Sequence, residues 1–294
     1  MTWAGALLTL ALGALEVRLQ PGVARPGDVV LVEVTGATEA PSGQLGSAEL
    51  VFLPFAEGWV ALVGLSVERK PGPLSLEVTA RSADGKEQLS GTLEVRKPDF
   101  RRRTLTVNRR FTNPSRKERL RSAADQRAFD ETFDRDFEPW VFDTAFGWPR
   151  LDEVSAPFGD LRLFNGKKQS QHFGSDLNGE TGDPIYASNA GEVVMVRDCF
   201  GTGGTVLLHH GGRLFTSYFH MSAFDVKVGD HVVRGQPLGK VGSSGRVTGP
   251  HLHFGVKLDG RWLDPESLLR LEFPAAAARA TDRPTSPAAS EEKP

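Results

Sequence analysis

The chain has 294 residues, 39% of them hydrophobic and 24% charged, with a formal net charge of −2. That length leaves room for two domains of about 100–200 residues, and the near-balanced charge gives no overall pull toward nucleic acid. The one cysteine, Cys199, excludes an intrachain disulfide and a thiolate-rich zinc cluster, so any metal must be held by imidazole and carboxylate.

Residues 1–15, "MTWAGALLTLALGAL", carry an apolar run too short for a bilayer span but suited to the core of a signal segment. Ala11-Leu12-Gly13 offers a small-x-small cleavage pattern, although no Lys or Arg precedes the run. The competing reading is the first buried strand or helix of the next domain. With a signal segment the protein is expected to be exported, periplasmic or envelope-associated, with no stable membrane span.

Residues 16–97 alternate in short β-like runs, "DVVLVEV", "AELVFLP", "WVALVGLSV", "LSLEVTARS" and "SGTLEVRK". Pro21-Gly22, Pro26-Gly27, Pro71-Gly72 and Asp84-Gly85 punctuate them as turns. Short strands at this spacing predict an immunoglobulin-like β-sandwich. It carries no candidate chemistry and reads as a spacer or docking module.

Residues 98–139 form a basic linker with an amphipathic helix. From Arg96 to Arg121 there are eleven Lys or Arg against Asp99 and Glu118. Asn113-Pro114 predicts a helix start, with Asn as cap and Pro in the first turn. Phe129, Phe133 and Phe137 then recur every four residues, one stripe of a helix. The expectation is a solvated connecting helix that packs this stripe on a neighbouring domain, since charge runs are usually solvated faces. A basic patch for an anionic polymer such as a cell wall is the competing reading.

Strand signals return over residues 140–273. Residues 274–294 are rich in Ala, Pro and Ser without a periodic apolar face, and read as a disordered tail.

Three segments of the second half carry candidate chemistry. "QHFGSDL" holds His172 and Asp176, "FTSYFHMS" holds Tyr218 and His220, and "GPHLHFG" holds His251 and His253. In a strand, residues two apart share a face, so His251 and His253 stand side by side, with Leu252 and Phe254 on the opposite face. A catalytic zinc takes three N/O ligands and keeps a position for water. Two histidines and one carboxylate match that count, and further histidines can serve proton transfer. The helical H-E-x-x-H pattern is absent from the sequence. His209, His210 and His231 read as turn or surface residues, and Cys199 as a free thiol in a hairpin connection. "GSSGRVTGP" lacks the G-K-[ST] of a phosphate loop and reads as a loop shaping one wall of a cleft.

From about Ala156 to Leu269 the chain resembles the lysostaphin/LytM-type zinc metallopeptidases, metallopeptidase family 23. The resemblance runs through "APFGDLR", "HFGSDLNGETGDPIYASNAGEVV", "GGTVLLHHGGRLFTSYFHMS", "VKVGDHVVRGQPLGKVGSSGRVTGPHLHFGV" and "DPESLL". It implies that His172, Asp176 and His253 bind one Zn2+ per chain, and that His220 and His251 are catalytic, with either as general base. Tyr218, two before His220, would share its face in a strand and orient substrate, with plain packing as the competing role. Asn165 falls in a loop that the family places near the cleft, as a substrate contact.

The implied architecture is mostly β: an N-terminal immunoglobulin-like β-sandwich, a helical linker, and a C-terminal antiparallel β catalytic domain of LytM/lysostaphin type. The implied activity is zinc-dependent endopeptidase hydrolysis of the peptide cross-links of bacterial peptidoglycan through a metal-bound water, with peptidoglycan peptide stems as substrate. The alternative is a non-catalytic wall-binding or amidase-regulating protein of the same fold; its mark would be a lost ligand, and all three are present. A biotinyl or lipoyl carrier, suggested by "VKVGDHVVRGQPLGKVGSSG", lacks a Met-Lys or Asp-Lys context at Lys240.

Overall fold

In the first domain, alternation along the strands resolves into two five-stranded sheets sharing one core. The computed structural model describes residues 7–166 and 168–274. Strand Gly72–Ser82 turns Leu74, Leu76, Val78 and Ala80 inward and the residues between them outward, as a half-buried strand should. Strand Val29–Thr35 does not alternate in sequence because both of its faces are covered. Val30, Val32 and Val34 meet the opposite sheet, while Val29 and Leu31 pack with residues of the second domain.

The run read as a signal segment is, over Leu8–Leu12, a strand paired antiparallel to Leu15–Gln20, with Leu8 and Leu10 against the core. Residues 1–6 lie outside the described residues, as does the predicted tail from residue 275.

The second domain is built on an antiparallel sheet. Its order is Val154–Ala156, Ser175–Asn178, His251–Leu258, Leu214–Met221, Gly203–His209, Gly191–Cys199 and His231–Val232, with Arg261–Leu263 also pairing His251–Leu258. One face, with Leu252, Phe254 and Tyr218, packs into a core that also includes Val29, Leu31 and Leu62 of the first domain. A short helix, α2 (Pro265–Leu269), is capped by Asp264 and seals the seam. Asp264 N donates to Gly27 O at 2.7 Å, and Val29 N to Ser267 Oγ at 2.8 Å. Burying side chains such as Leu263 and Leu268 is worth roughly 1.5–3 kcal/mol each, so the first domain is joined to the second by shared core as well as by chain.

The linker docks onto the second domain along its length. Arg102–Leu105 adds a parallel strand to Leu161–Phe164. Helix α1 (Arg116–Phe133) starts two residues later than Asn113-Pro114 predicts, because Ser115 and Glu118 form a reciprocal capping box. Phe129 and Phe133 pack edge-on against Phe219, Phe215 and Trp262. Phe137 falls beyond the helix end and is 39% exposed, so the stripe has two members and not three. Buried Asp125 fixes the helix further, accepting from Arg197 Nε at 2.9 Å and Phe200 N at 2.7 Å.

Candidate metal centre

The sheet register places the candidate ligands. Ser175–Asn178 pairs with His251–Leu258 so that Asp176 lies directly opposite His253, and Asn178 opposite His251. Directly paired residues share a face, so the carboxylate and both histidines stand on the face away from the Leu252–Phe254 core. His172, just before the Ser175 strand, completes the group. Its Nε2 is 2.9 Å from Asp176 Oδ1 and 3.0 Å from His253 Nδ1, and the last two atoms are 2.8 Å apart.

Three electron-pair donors aimed at one point is an arrangement that a cation satisfies, and a two-histidine, one-carboxylate set suits zinc. The surroundings fit that reading. His172 Nδ1 donates to Pro157 O at 2.7 Å, which leaves the Nε2 lone pair for the centre. Gly174 lies so close to His253 that a Cβ there would come within 2.4 Å of Nε2, so the glycine of H-x-G-x-D is a packing requirement. Phe219 lies parallel to the His253 ring at 5.2 Å and fixes its plane. Burial raises the Asp176 pKa, but the adjoining His172 and His253 rings outweigh it and hold the carboxyl well below its usual range. Burial pushes His253 down to about 4, against the opposing pull of Asp176.

His220 and His251 stand beside this group with ring centroids 4.9 Å apart. Each has its Nδ1 on a loop carbonyl, Ser244 O at 2.8 Å for His220 and Gly249 O at 2.9 Å for His251. A carbonyl only accepts, so each Nδ1 carries a proton, and in the neutral ring each Nε2 keeps its lone pair. Burial, and then the neighbouring His251 and His253, depress the His220 pKa well below its ordinary value. The pair opens on a cavity of about 260 Å³ whose walls include Arg103, Leu105 and Val107 of the linker and the loop Arg246–His251.

The two expected substrate contacts are elsewhere. Tyr218 is fully buried, and its hydroxyl accepts from Ser188 N at 2.9 Å and bonds Thr216 Oγ1 at 3.1 Å. It does not share a face with His220, because His220 takes φ +66° and breaks the strand's alternation. Tyr218 points to the core with Phe254, while Phe219 and His220 both reach the site face. Asn165, at φ +50°, spends its side chain on the linker: Oδ1 accepts from Val107 N, and Nδ2 donates to Val107 O and Thr112 Oγ1. It holds the cavity wall and does not line the cavity.

His209 and His210 are also buried, not surface residues, and His210 opens the turn between Gly203–His209 and Leu214–Met221. His210 Nδ1 donates to Ala190 O, Thr216 Oγ1 bridges its Nε2 to Tyr218, and burial pushes its pKa down to about 4. Arg162 was not singled out from the sequence, although it ends the quoted "APFGDLR". Its Nη2 donates to Asp176 Oδ2 at 2.6 Å, opposite the oxygen offered to the metal.

Comparison with known proteins places this site in context. Residues 170–265 match the family model described as Peptidase family M23. A 126-residue segment is 38% identical to the Peptidoglycan DD-endopeptidase ShyA of Vibrio cholerae, covering 42% of this chain and 29% of that one. A 115-residue segment is 35% identical to the DD-carboxypeptidase/endopeptidase Mpg of Neisseria meningitidis, covering 39% and 26%. The matched segments thus span less than a third of the length of these curated relatives. A crystal structure assigned to peptidase M23 from Pseudomonas aeruginosa superposes with a TM-score of 0.61 at 28% identity, over 83% of this chain and 94% of that one.

Proposed function

We propose that the chain is a zinc-dependent endopeptidase cutting the peptide cross-links of bacterial peptidoglycan, on the premise that residues 170–265, which match the peptidase family M23 model, act as a domain of that family. The observation that carries this reading is the convergence of His172 Nε2, Asp176 Oδ1 and His253 Nδ1 within 3.0 Å of one another, beside two histidines with free Nε2 atoms. Zinc held by these three residues would supply Lewis acidity, lowering the pKa of a coordinated water to about 7 and polarising the scissile carbonyl.

The chain's own residues do the rest. Asp176 stays ionised and offsets part of the metal's charge, and Arg162 holds the carboxylate in orientation from its second oxygen. His220 is kept neutral by burial, so at neutral pH its Nε2 carries a lone pair that can take a proton during the reaction. His251 presents a second Nε2 across the cleft. One ring accepts the proton of the attacking water, and a histidine so protonated returns it to the leaving amine. The linker wall and the Arg246–His251 loop confine the substrate between them.

Relatives named as DD-endopeptidases support a cross-link joining two D-centres as the bond cut. A peptidoglycan substrate implies an envelope location, and no helix among the described residues is long and apolar enough to cross a membrane. The test is digestion of purified peptidoglycan by the zinc-loaded protein, read by mass spectrometry, beside His253→Ala. Cross-link fragments that vanish in the variant are expected. One zinc per chain with no fragment from any wall type would sink the enzyme reading in favour of a wall-binding protein.

A further inference from the structure

Three guanidinium groups, from Arg103, Arg162 and Arg246, reach the cavity that holds His220 and His251. Two of them have carboxylates within the chain. Arg103 Nε lies 2.8 Å from Asp160 Oδ2, and Arg162 Nη2 donates to Asp176 Oδ2 at 2.6 Å. Arg246 forms no ion pair with any described carboxylate, and its guanidinium lies 4.5 Å from the centre of the Phe164 ring. Burial, and then the Arg162 charge beside it, push its pKa down, so its cation is under-compensated where it stands.

This cation is held in place, not left on a loose loop. Arg246 N donates to Gly201 O at 2.8 Å. Gly245, at φ +78°, packs so tightly on the adjacent hairpin that a Cβ would come 2.5 Å from Gly203 N. The same short loop carries the Ser244 carbonyl that orients His220 and the Gly249 carbonyl that orients His251. Arg246 is therefore set between the two backbone groups that align the histidines. Stacking on an aromatic ring leaves the edge of a guanidinium open to a carboxylate, its bidentate partner.

We propose that Arg246 is a specificity-determining residue, binding a free carboxylate of the substrate next to the scissile bond. This rests on the peptidase reading and deepens it. In a bond between two D-centres, the carbon bearing the scissile nitrogen is itself an amino-acid stereocentre and carries a carboxyl group. A cross-link to a lysine side-chain amine has no carboxyl at that carbon. The unpaired cation thus selects cross-links made through an α-amino group whose carboxylate is free, and disfavours those in which that carboxylate is missing or amidated.

The test uses two synthetic cross-linked peptide dimers that differ only there, one with the carboxylate free and one with a carboxamide. The zinc-loaded wild type is expected to show kcat/KM about 10- to 100-fold higher on the free acid, the range of a charge-assisted hydrogen bond. Arg246→Met should lower the free acid to the carboxamide level and leave the carboxamide nearly unchanged, with Arg246→Lys intermediate. Calorimetric binding to His251→Ala protein should show the same preference, lost in His251→Ala/Arg246→Met. Equal cleavage of both dimers by the wild type overturns the subsite while leaving the peptidase intact. An equal loss on both dimers in Arg246→Met also overturns it, since that marks a structural role. Cleavage of neither dimer by the wild type overturns the peptidase reading, and the subsite falls with it.

Discussion

His220 and His251 face each other with ring centroids 4.9 Å apart because His220 adopts φ +66° at the end of its strand. A β-region backbone there would continue the alternation and send the ring toward the face of Tyr218. The left-handed conformation costs a non-glycine residue free energy that surrounding structure must offset, and such outliers gather at functional sites. Asn tolerates this backbone and cannot act as a base near neutral pH. His220→Asn is therefore expected to retain one zinc per chain and a near-wild-type Tm while kcat falls by about 10²–10⁴-fold. Loss of zinc in this variant would show that His220 is a ligand and not a proton carrier.

The parts of this site that could be read from the sequence were those set by local periodicity. The face shared by His251 and His253 follows from a spacing of two in a regular strand, and Leu252 and Phe254 do occupy the opposite, buried face. Tyr218 fails the same rule because one left-handed residue inverts the pattern, and no single-residue propensity announces a histidine at positive φ. The surroundings of Arg162 and Asn165 were not legible for another reason. Their partners, Asp176 in one case and Val107 and Thr112 in the other, are fixed by tertiary pairing of distant segments. The unbroken apolar run of Val29–Val32 was legible as a strand, but its second covered face depends on a domain that begins more than 100 residues further along.

Arg162 orients Asp176 through the carboxylate oxygen that does not face the metal group. Such supporting contacts typically contribute 10- to 100-fold to metal affinity. Arg162→Met should weaken zinc binding by about that factor in a chelator competition, with Arg162→Lys partly restoring it. An unchanged zinc affinity in Arg162→Met would show that the pair serves folding alone.

Asn165 makes three side-chain hydrogen bonds to the linker and none to the cavity. Asn165→Ala should cost about 1–3 kcal/mol, from buried backbone groups left unpaired. Amide exchange across residues 102–112 should rise while zinc stoichiometry stays at one. A raised KM with unaltered exchange would instead return Asn165 to the role of a substrate contact.

The seam between the domains holds one buried carboxyl, Asp28, and one partly buried, Asp264, and this sets a pH dependence of stability. Burial raises Asp28 to about 6, against the Arg25 backbone hydrogen bond and the charges of Arg270 and Arg25. Burial, and then the charges of Asp28 and Glu266, raise Asp264 to about 7, against Arg270 and a backbone hydrogen bond from Glu266. Both groups start from 3.8, so between pH 4 and 7 the folded state binds more protons than the unfolded one. Their contribution is then fully present below the unfolded value and is lost as pH rises through the folded values. With zinc removed by chelator, the urea midpoint of the wild type should carry a component that falls between pH 5 and pH 8. Asp28→Asn/Asp264→Asn keeps side-chain acceptors for the Arg25 and Glu266 amides and removes the titration. The double variant should therefore gain on the wild type as pH rises, most at pH 8. Parallel pH profiles for the two proteins would show that the seam carboxyls titrate alike folded and unfolded, and that solvent reaches them in the native state.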